Sequence, residues 1–429
     1  MASSNSVPRR SDLLDQLNKA NRFAWLLVQF EIVLIAIVSA IIDWNWVQQQ
    51  PVLTTVAIGT MVCPTAFSIV RYVSVKKVRI QDLKESTRFG SFDKYRLQTL
   101  FRDTLSKLHL PDEGLSVYIV ASRSINAAAM HVGLGSFFKS LNGIYLNRQA
   151  LHKLEPTEIQ DLMGHELGHY YKHYLVTDRY RMVTIVLGSL VGIFAAQHIE
   201  FDSYFGYIFG YLVLTGVPAL FWMLSSLPHA KNSQAIEFLC DDFGAHVGGV
   251  LPSIHGLLKL GLDAELECVV MQQAVLSKLA GNFNPSELIE TISGAIPYGH
   301  ASREEIEDKV NRELRNRAAE RKMSIGGLLN YMWNSEAEAD AAEQLAIEAK
   351  KMRKLQSEPR MNWESLLPNS SRIEFSENGI SNLVELLESR TDEHLFRIPE
   401  APHDAHPTLR SRILYLWHNR SEIESQSRT

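Results

Sequence analysis

Four stretches of the chain, 24–44, 52–70, 182–199 and 204–224, are almost wholly apolar. Each approaches the roughly 20 residues that a bilayer-spanning helix needs. Short links, 45–51 and 200–203, join them in two pairs, so the pattern predicts two transmembrane hairpins, 23–71 and 182–224. The first run is too long, and the polar stretch before it too extended, for a cleavable signal peptide. Residues 1–22 are polar and basic and read as a loosely ordered tail.

The segments outside the hairpins carry other periodicities. Residues 75–110 are mixed and mostly helical in pattern, whereas 115–121 (LSVYIVA) and 143–146 (GIYL) read as short β-strands. A helix is predicted from Pro156, with Glu155 and Glu158 near its positive end and Ile159, Leu162, Met163, Leu167 and Tyr170 on one face. A second is predicted from Ser233, with Ile236, Leu239, Cys240 and Phe243 as its stripe and Gly248-Gly249 as its stop. The fold class expected is mainly α with a small β-sheet, in a multi-pass membrane protein. Residues 72–181 and 225–265 form two parts of one domain, 266–400 a helical insert of unknown role, and 401–429 a C-terminal segment.

Charge sharpens this picture. Arg9, Arg10, Lys19 and Arg22 precede the first run; Arg71, Lys76, Lys77 and Arg79 follow the second. Lys172, Arg179 and Arg181 precede the third, Lys231 follows the fourth, and the two hairpin links carry no Lys or Arg. The positive-inside rule then puts both termini and everything outside the hairpins in the cytoplasm. Lys plus Arg total 43 against 48 Asp plus Glu, a balance that argues against nucleic acid as a partner. The cysteines, Cys63, Cys240 and Cys268, make no CxxC pair and no structural zinc site. Glu31 lies inside the first run, near enough to its cytoplasmic end to reach the interface or a neighbouring helix.

The chemistry sits in Gly164-His165-Glu166-Leu167-Gly168-His169. Two histidines at i and i+4 on one helix point the same way and can bind one metal ion, and the Glu between them can take a proton from a metal-bound water. A catalytic zinc takes three protein ligands and keeps one open position. Glu237 is the candidate third ligand. It lies one turn from Asp241 on the second helix, so one carboxylate can bind the metal while the other orients a ligand histidine. His173 and His246 read as ordinary histidines away from the centre.

This order of elements resembles the HtpX-type membrane metallopeptidases, relatives of the prenyl-protein CAAX peptidases. The resemblance covers roughly 24–261 and 401–416. It rests on the N-terminal hairpin, the H-E-x-x-H string, the second hairpin, the Glu237-x-x-x-Asp241 helix and a late His406-Pro407 motif. It implies a zincin-like domain with one Zn2+ per chain, held by His165, His169 and Glu237, with Glu166 catalytic. It further implies Asp241 and Arg412 behind the ligands and His406 close to the metal, either stabilising an oxyanion or occupying the open position. Asn126 and Ala127 would lie on a strand that holds extended substrate. The chain departs from the family pattern at Ser233-Gln234, where relatives often carry Ser-Arg. The implied function is peptide-bond hydrolysis in membrane-protein quality control. The implied partners are the membrane and protein or peptide substrates, and the implied location is a bacterial inner membrane with the catalytic domain cytoplasmic. Processing of lipidated C-termini and a catalytically silent zinc-binding scaffold are the rival functions.

Overall fold

The computed structural model describes residues 7–55, 58–59, 62, 76–111, 115–121, 127–131, 142–201, 203–226, 229–276, 359–368, 373–398 and 406–426. Helix α1, Arg10–Ile41, opens the chain and is followed by the short α2, Trp44–Gln49. At 32 residues α1 is about 48 Å long, well beyond the roughly 30 Å of a bilayer core. Its first turns are therefore not the loose tail that composition suggests. Leu13 and Leu17, one turn apart, are buried in the same core as Leu239, Ile254 and Trp363. Arg10 adds an ion pair to Asp242 at 2.5 Å. The partners that make this stretch helical lie over 200 residues away in sequence, where local polarity cannot reveal them.

A four-stranded sheet follows, in the order β1 (Lys77–Arg79), β4 (Ser116–Val120), β6 (Asn142–Asn147), β5 (Ala127–His131). β4 and β6 run parallel; β1 and β5 pair antiparallel at the two edges. The helical reading of 75–110 holds only for its second half. β1 and a two-stranded hairpin, β2 (Arg88–Phe89) and β3 (Phe92–Asp93), occupy the first. Gly90 turns the hairpin at φ +58, a conformation that favours glycine. Asp93 then starts α3, Lys94–Lys107, by accepting the Arg96 N–H at 2.8 Å.

β6 leads through α4, Arg148–Lys153, into α5, Pro156–Leu167. Pro156 and a reciprocal Glu155–Glu158 capping box fix the start of α5. Ile159, Met163 and Leu167 bury its apolar stripe against Phe101, Val117 and Leu146. α5 passes into a π-helical turn, Gly168–Lys172, closed by the His173 N–H on the Gly168 carbonyl at 2.8 Å. Such a turn shifts the following side chains around the axis and recurs at functional sites.

The two long helices α6 (Val176–Ala196) and α7 (Tyr204–Ser226) form the second hairpin. With α1 they are three helices long and apolar enough to cross a membrane. Their outer faces expose Phe30, Val33, Ile37, Val186, Phe209, Leu212 and Leu220, as a lipid-facing surface requires. α6 starts earlier than the apolar run because the Asn21 side chain of α1 accepts the Val176 N–H at 2.9 Å. The intramembrane Glu31 meets a neighbouring helix: the Thr184 hydroxyl lies 3.1 Å from each carboxylate oxygen. Most of the 52–70 run lies outside the described residues.

α8, His229–Gly248, packs across α5, and α9, Val250–Leu276, follows it. The buried Lys259 of α9 binds both carboxylate oxygens of Glu158 at 2.7 Å, tying α9 to the start of α5. The expected insert of 266–400 is divided. Residues 277–358 lie outside the described residues, but 359–368 and 373–398 contribute to the core. Met361, Trp363 and Ile373 are buried with Leu383 and Leu387 of α10, Glu377–Ser389. The chain ends in α11, Leu409–His418, capped by Thr408, and α12, Arg420–Gln426.

Candidate metal centre

The site forms where α5 and α8 touch. Their contact is made by small residues: a methyl added at Gly164 would lie 2.9 Å from the Gly244 Cα, and one at Gly244 2.6 Å from the Asp161 carbonyl. One turn along on each helix, Gly168 faces Cys240 and Gly248 faces Thr157. No side chain fits between the backbones, so the carboxylates of α8 come within reach of the imidazoles of α5.

Three side chains converge. His165 Nε2 is 3.2 Å from His169 Nε2 and 3.5 Å from Glu237 Oε2; His169 Nε2 is 3.3 Å from Glu237 Oε1. Tetrahedral zinc bonds of about 2.0–2.1 Å place ligand atoms about 3.3 Å apart, so this donor set fits the ion. Among the described residues it is the one cluster of three such donors within bonding range of a common centre. The Glu237 side chain is only 8 % exposed, while that of His169 is 30 % exposed, so the open side faces outward past His169.

Behind the ligands runs a charged relay. His165 Nδ1 is 2.9 Å from Asp241 Oδ1, and Arg412 grips Asp241 through Nε at 2.7 Å and a terminal nitrogen at 2.5 Å. The carboxylate holds the His165 proton on Nδ1 and leaves the Nε2 lone pair towards the centre. Burial lowers the His165 pKa, but the bond to Asp241 and the charges of Asp241 and Glu237 carry it up to about 9. Burial works against the Asp241 carboxylate, yet the Arg412 charge holds it below the usual carboxylate range. Glu237 is likewise held low against burial, by hydrogen bonds from His169 and His406 and the charge of His165.

The C-terminal motif closes the site. His406 Nδ1 lies 3.1 Å from Glu237 Oε2. Pro407 and the Thr408 cap then launch α11, which delivers Arg412 to Asp241. Glu166, next to His165 on α5, is buried. Ala127 opens β5, opposite Leu146, and β5 packs beside the π-helical turn that carries His169. Asn126 lies outside the described residues. His173 is a core residue, edge-on to Phe243, with burial taking its pKa down to about 3.

Two features escape sequence reasoning. Ser253 of α9 donates to Asp161 at 2.5 Å, one turn before His165; burial pushes Asp161 up to about 7. Arg10 reaches Asp242, the neighbour of Asp241, and so pins α8 from the far end of the chain. The doubled Asp241-Asp242 was the one available signal for the second of these.

Fold and site define an integral membrane zinc metallopeptidase of zincin type, with an intact His/His/Glu ligand set. Residues 92–251 match the family model of peptidase family M48. A search of curated proteins and a search of solved structures each found no match.

Proposed function

We propose that this chain is an endopeptidase of membrane-protein quality control, cutting polypeptide segments beside the cytoplasmic face of the membrane that holds it. The observation that carries the reading is the convergence of His165, His169 and Glu237 from two helices, with His406 brought to the same carboxylate. The excess of Lys and Arg on the domain side of all four apolar runs supports the orientation.

His165, His169 and Glu237 would hold a zinc ion, which would supply Lewis acidity and make a water nucleophilic near neutral pH. Glu166 takes the proton of the attacking water and hands it to the leaving amine. His406, held with Nδ1 3.1 Å from Glu237 Oε2, donates to the oxyanion that develops on the substrate. Asp241, clamped by Arg412, keeps His165 in the tautomer that binds metal. β5 stands at the sheet edge, and an extended substrate adds to it as a further strand near Asn126 and Ala127.

Glu166→Gln tests the reading. It is expected to keep stoichiometric zinc while cleavage of a casein-type substrate falls by about 10²–10⁴-fold or more. Cleavage at the wild-type rate would remove Glu166 from the mechanism.

A further inference from the structure

The three described membrane helices end in aromatic side chains at both levels of the bilayer, but only one level is basic. At the end away from the metal centre stand Trp44, Trp46, Tyr204, Phe205 and Tyr207; segments 42–51 and 197–206 contain no Lys or Arg and carry Asp43, Glu200 and Asp202. At the near end, Trp25 meets Tyr180 with ring centroids 5.1 Å apart, and Arg181 lies over Trp222 at 4.0 Å. Tyr204 and Trp222 are separated by about 27 Å along α7, close to the thickness of a hydrocarbon core. The two aromatic levels therefore mark the two interfaces.

The near level is a ring of cations. Arg22 of α1, Lys172 of the π-helical turn and Arg179 of α6 are exposed, and among the described residues none of the three forms an ion pair with a carboxylate. Arg181 reaches its nearest carboxylate, Asp178, only at 4.0 Å. The ring is also wired to the site. Arg179 donates to the Tyr170 carbonyl at 2.6 Å, in the turn that bears His169, and Lys172 lies over Phe243 of α8. Asn21 bridges α1 to the same level through the Tyr174 carbonyl at 2.9 Å.

We infer that Arg22, Lys172, Arg179 and Arg181 form a binding ring for anionic phospholipid headgroups, and that occupied headgroups seat the metal centre against the membrane surface. Cations at headgroup depth, flanked by aromatic side chains and short of carboxylate partners, match a lipid phosphate. An acidic soluble peptide would have no use for the aromatic flank.

The full-length chain, reconstituted in nanodiscs of mixed phosphatidylcholine and phosphatidylglycerol, is released into native mass spectrometry and its retained lipids are counted. Phosphatidylglycerol is expected to be enriched over its share of the bilayer. The triple variant R22Q/R179Q/R181Q should lose enrichment by about fivefold per charge removed. R22K/R179K/R181K, which keeps the charges, should retain it, and excess inorganic phosphate should not compete. Equal enrichment in the Gln variant overturns the inference, as does displacement by inorganic phosphate. So does a ring with no lipid preference that binds polyglutamate in phosphatidylcholine nanodiscs. Because lipid retention is read without turnover, its failure would leave the peptidase reading standing.

Discussion

The α5–α8 pair and the α6–α7 pair both pack through glycine, with opposite consequences. In the membrane hairpin, a methyl on Gly188 would lie 2.9 Å from the Pro218 Cα, and the close approach serves van der Waals contact between apolar faces. In the domain, the Gly164–Gly244 contact serves an array of charge: Glu237, Asp241, Arg412 and two imidazoles share one buried space. A glycine seam is thus a tool for setting distance. What it achieves depends on which side chains flank it. The lipid-facing pair has apolar flanks and can accommodate small shifts. The domain pair must hold ligand atoms to a few tenths of an ångström.

The largest break in this comparison comes from Gly244→Ala. The new methyl meets the Asp161 carbonyl and carboxylate at 2.6 and 2.7 Å, so α8 must move away from α5. We expect a stability loss of about 1–3 kcal/mol from overpacking, with zinc content well below one per chain. Gly216→Ala, in α7 with nothing within 4 Å of the added methyl, should leave zinc content unchanged; metal analysis and thermal melting read both.

Next in size is Asp241→Asn. The helices stay seated but the hold on His165 Nδ1 weakens and Arg412 loses its charge partner. Zinc affinity, measured by chelator competition, should fall about 10–100-fold. The equivalent loss between the membrane helices α1 and α6, Thr184→Val beside Glu31, should leave zinc affinity unchanged.

The smallest effect concerns pH. His255 of α9 accepts the Phe375 N–H at 2.9 Å, which requires an unprotonated Nε2, and burial with the nearby Lys259 takes its pKa from 6.5 to about 4. The unfolded chain binds this proton first. Stability from His255 is therefore full above about pH 6.5 and is lost as pH falls towards 4. In denaturant titrations His255→Gln, which can still accept the bond, should flatten that part of the pH dependence relative to wild type.

The sequence made some of this legible because the signals are local. His165, Glu166 and His169 announce themselves by spacing within one helix, and Glu237 and Asp241 by sharing a face. The apolar runs at 24–44, 182–199 and 204–224 correspond to three observed helices. What stayed hidden depends on distant partners. Leu13 and Leu17 look like sparse apolar residues in a polar tail until α8 covers them. Residues 359–368 and 373–398 look like the end of an insert until Trp363 and Phe396 pack edge-on in the core. The glycines at 164 and 244 carry no label saying that they face each other. His406 and Arg412 could be placed only through resemblance, since neither lies in a pattern that identifies a ligand shell by itself.

The central claim is that one ion is gripped by two imidazoles from α5 and its π-helical turn and one carboxylate from α8. X-ray absorption of the zinc-loaded chain, compared with Glu237→Ala at matched protein concentration, tests it most directly. We predict two histidine nitrogens and light oxygen ligands at about 2.0–2.2 Å in the wild type, with zinc retention lost in the variant. A sulfur ligand at about 2.3 Å, or full zinc retention with an unchanged spectrum in Glu237→Ala, would contradict the account.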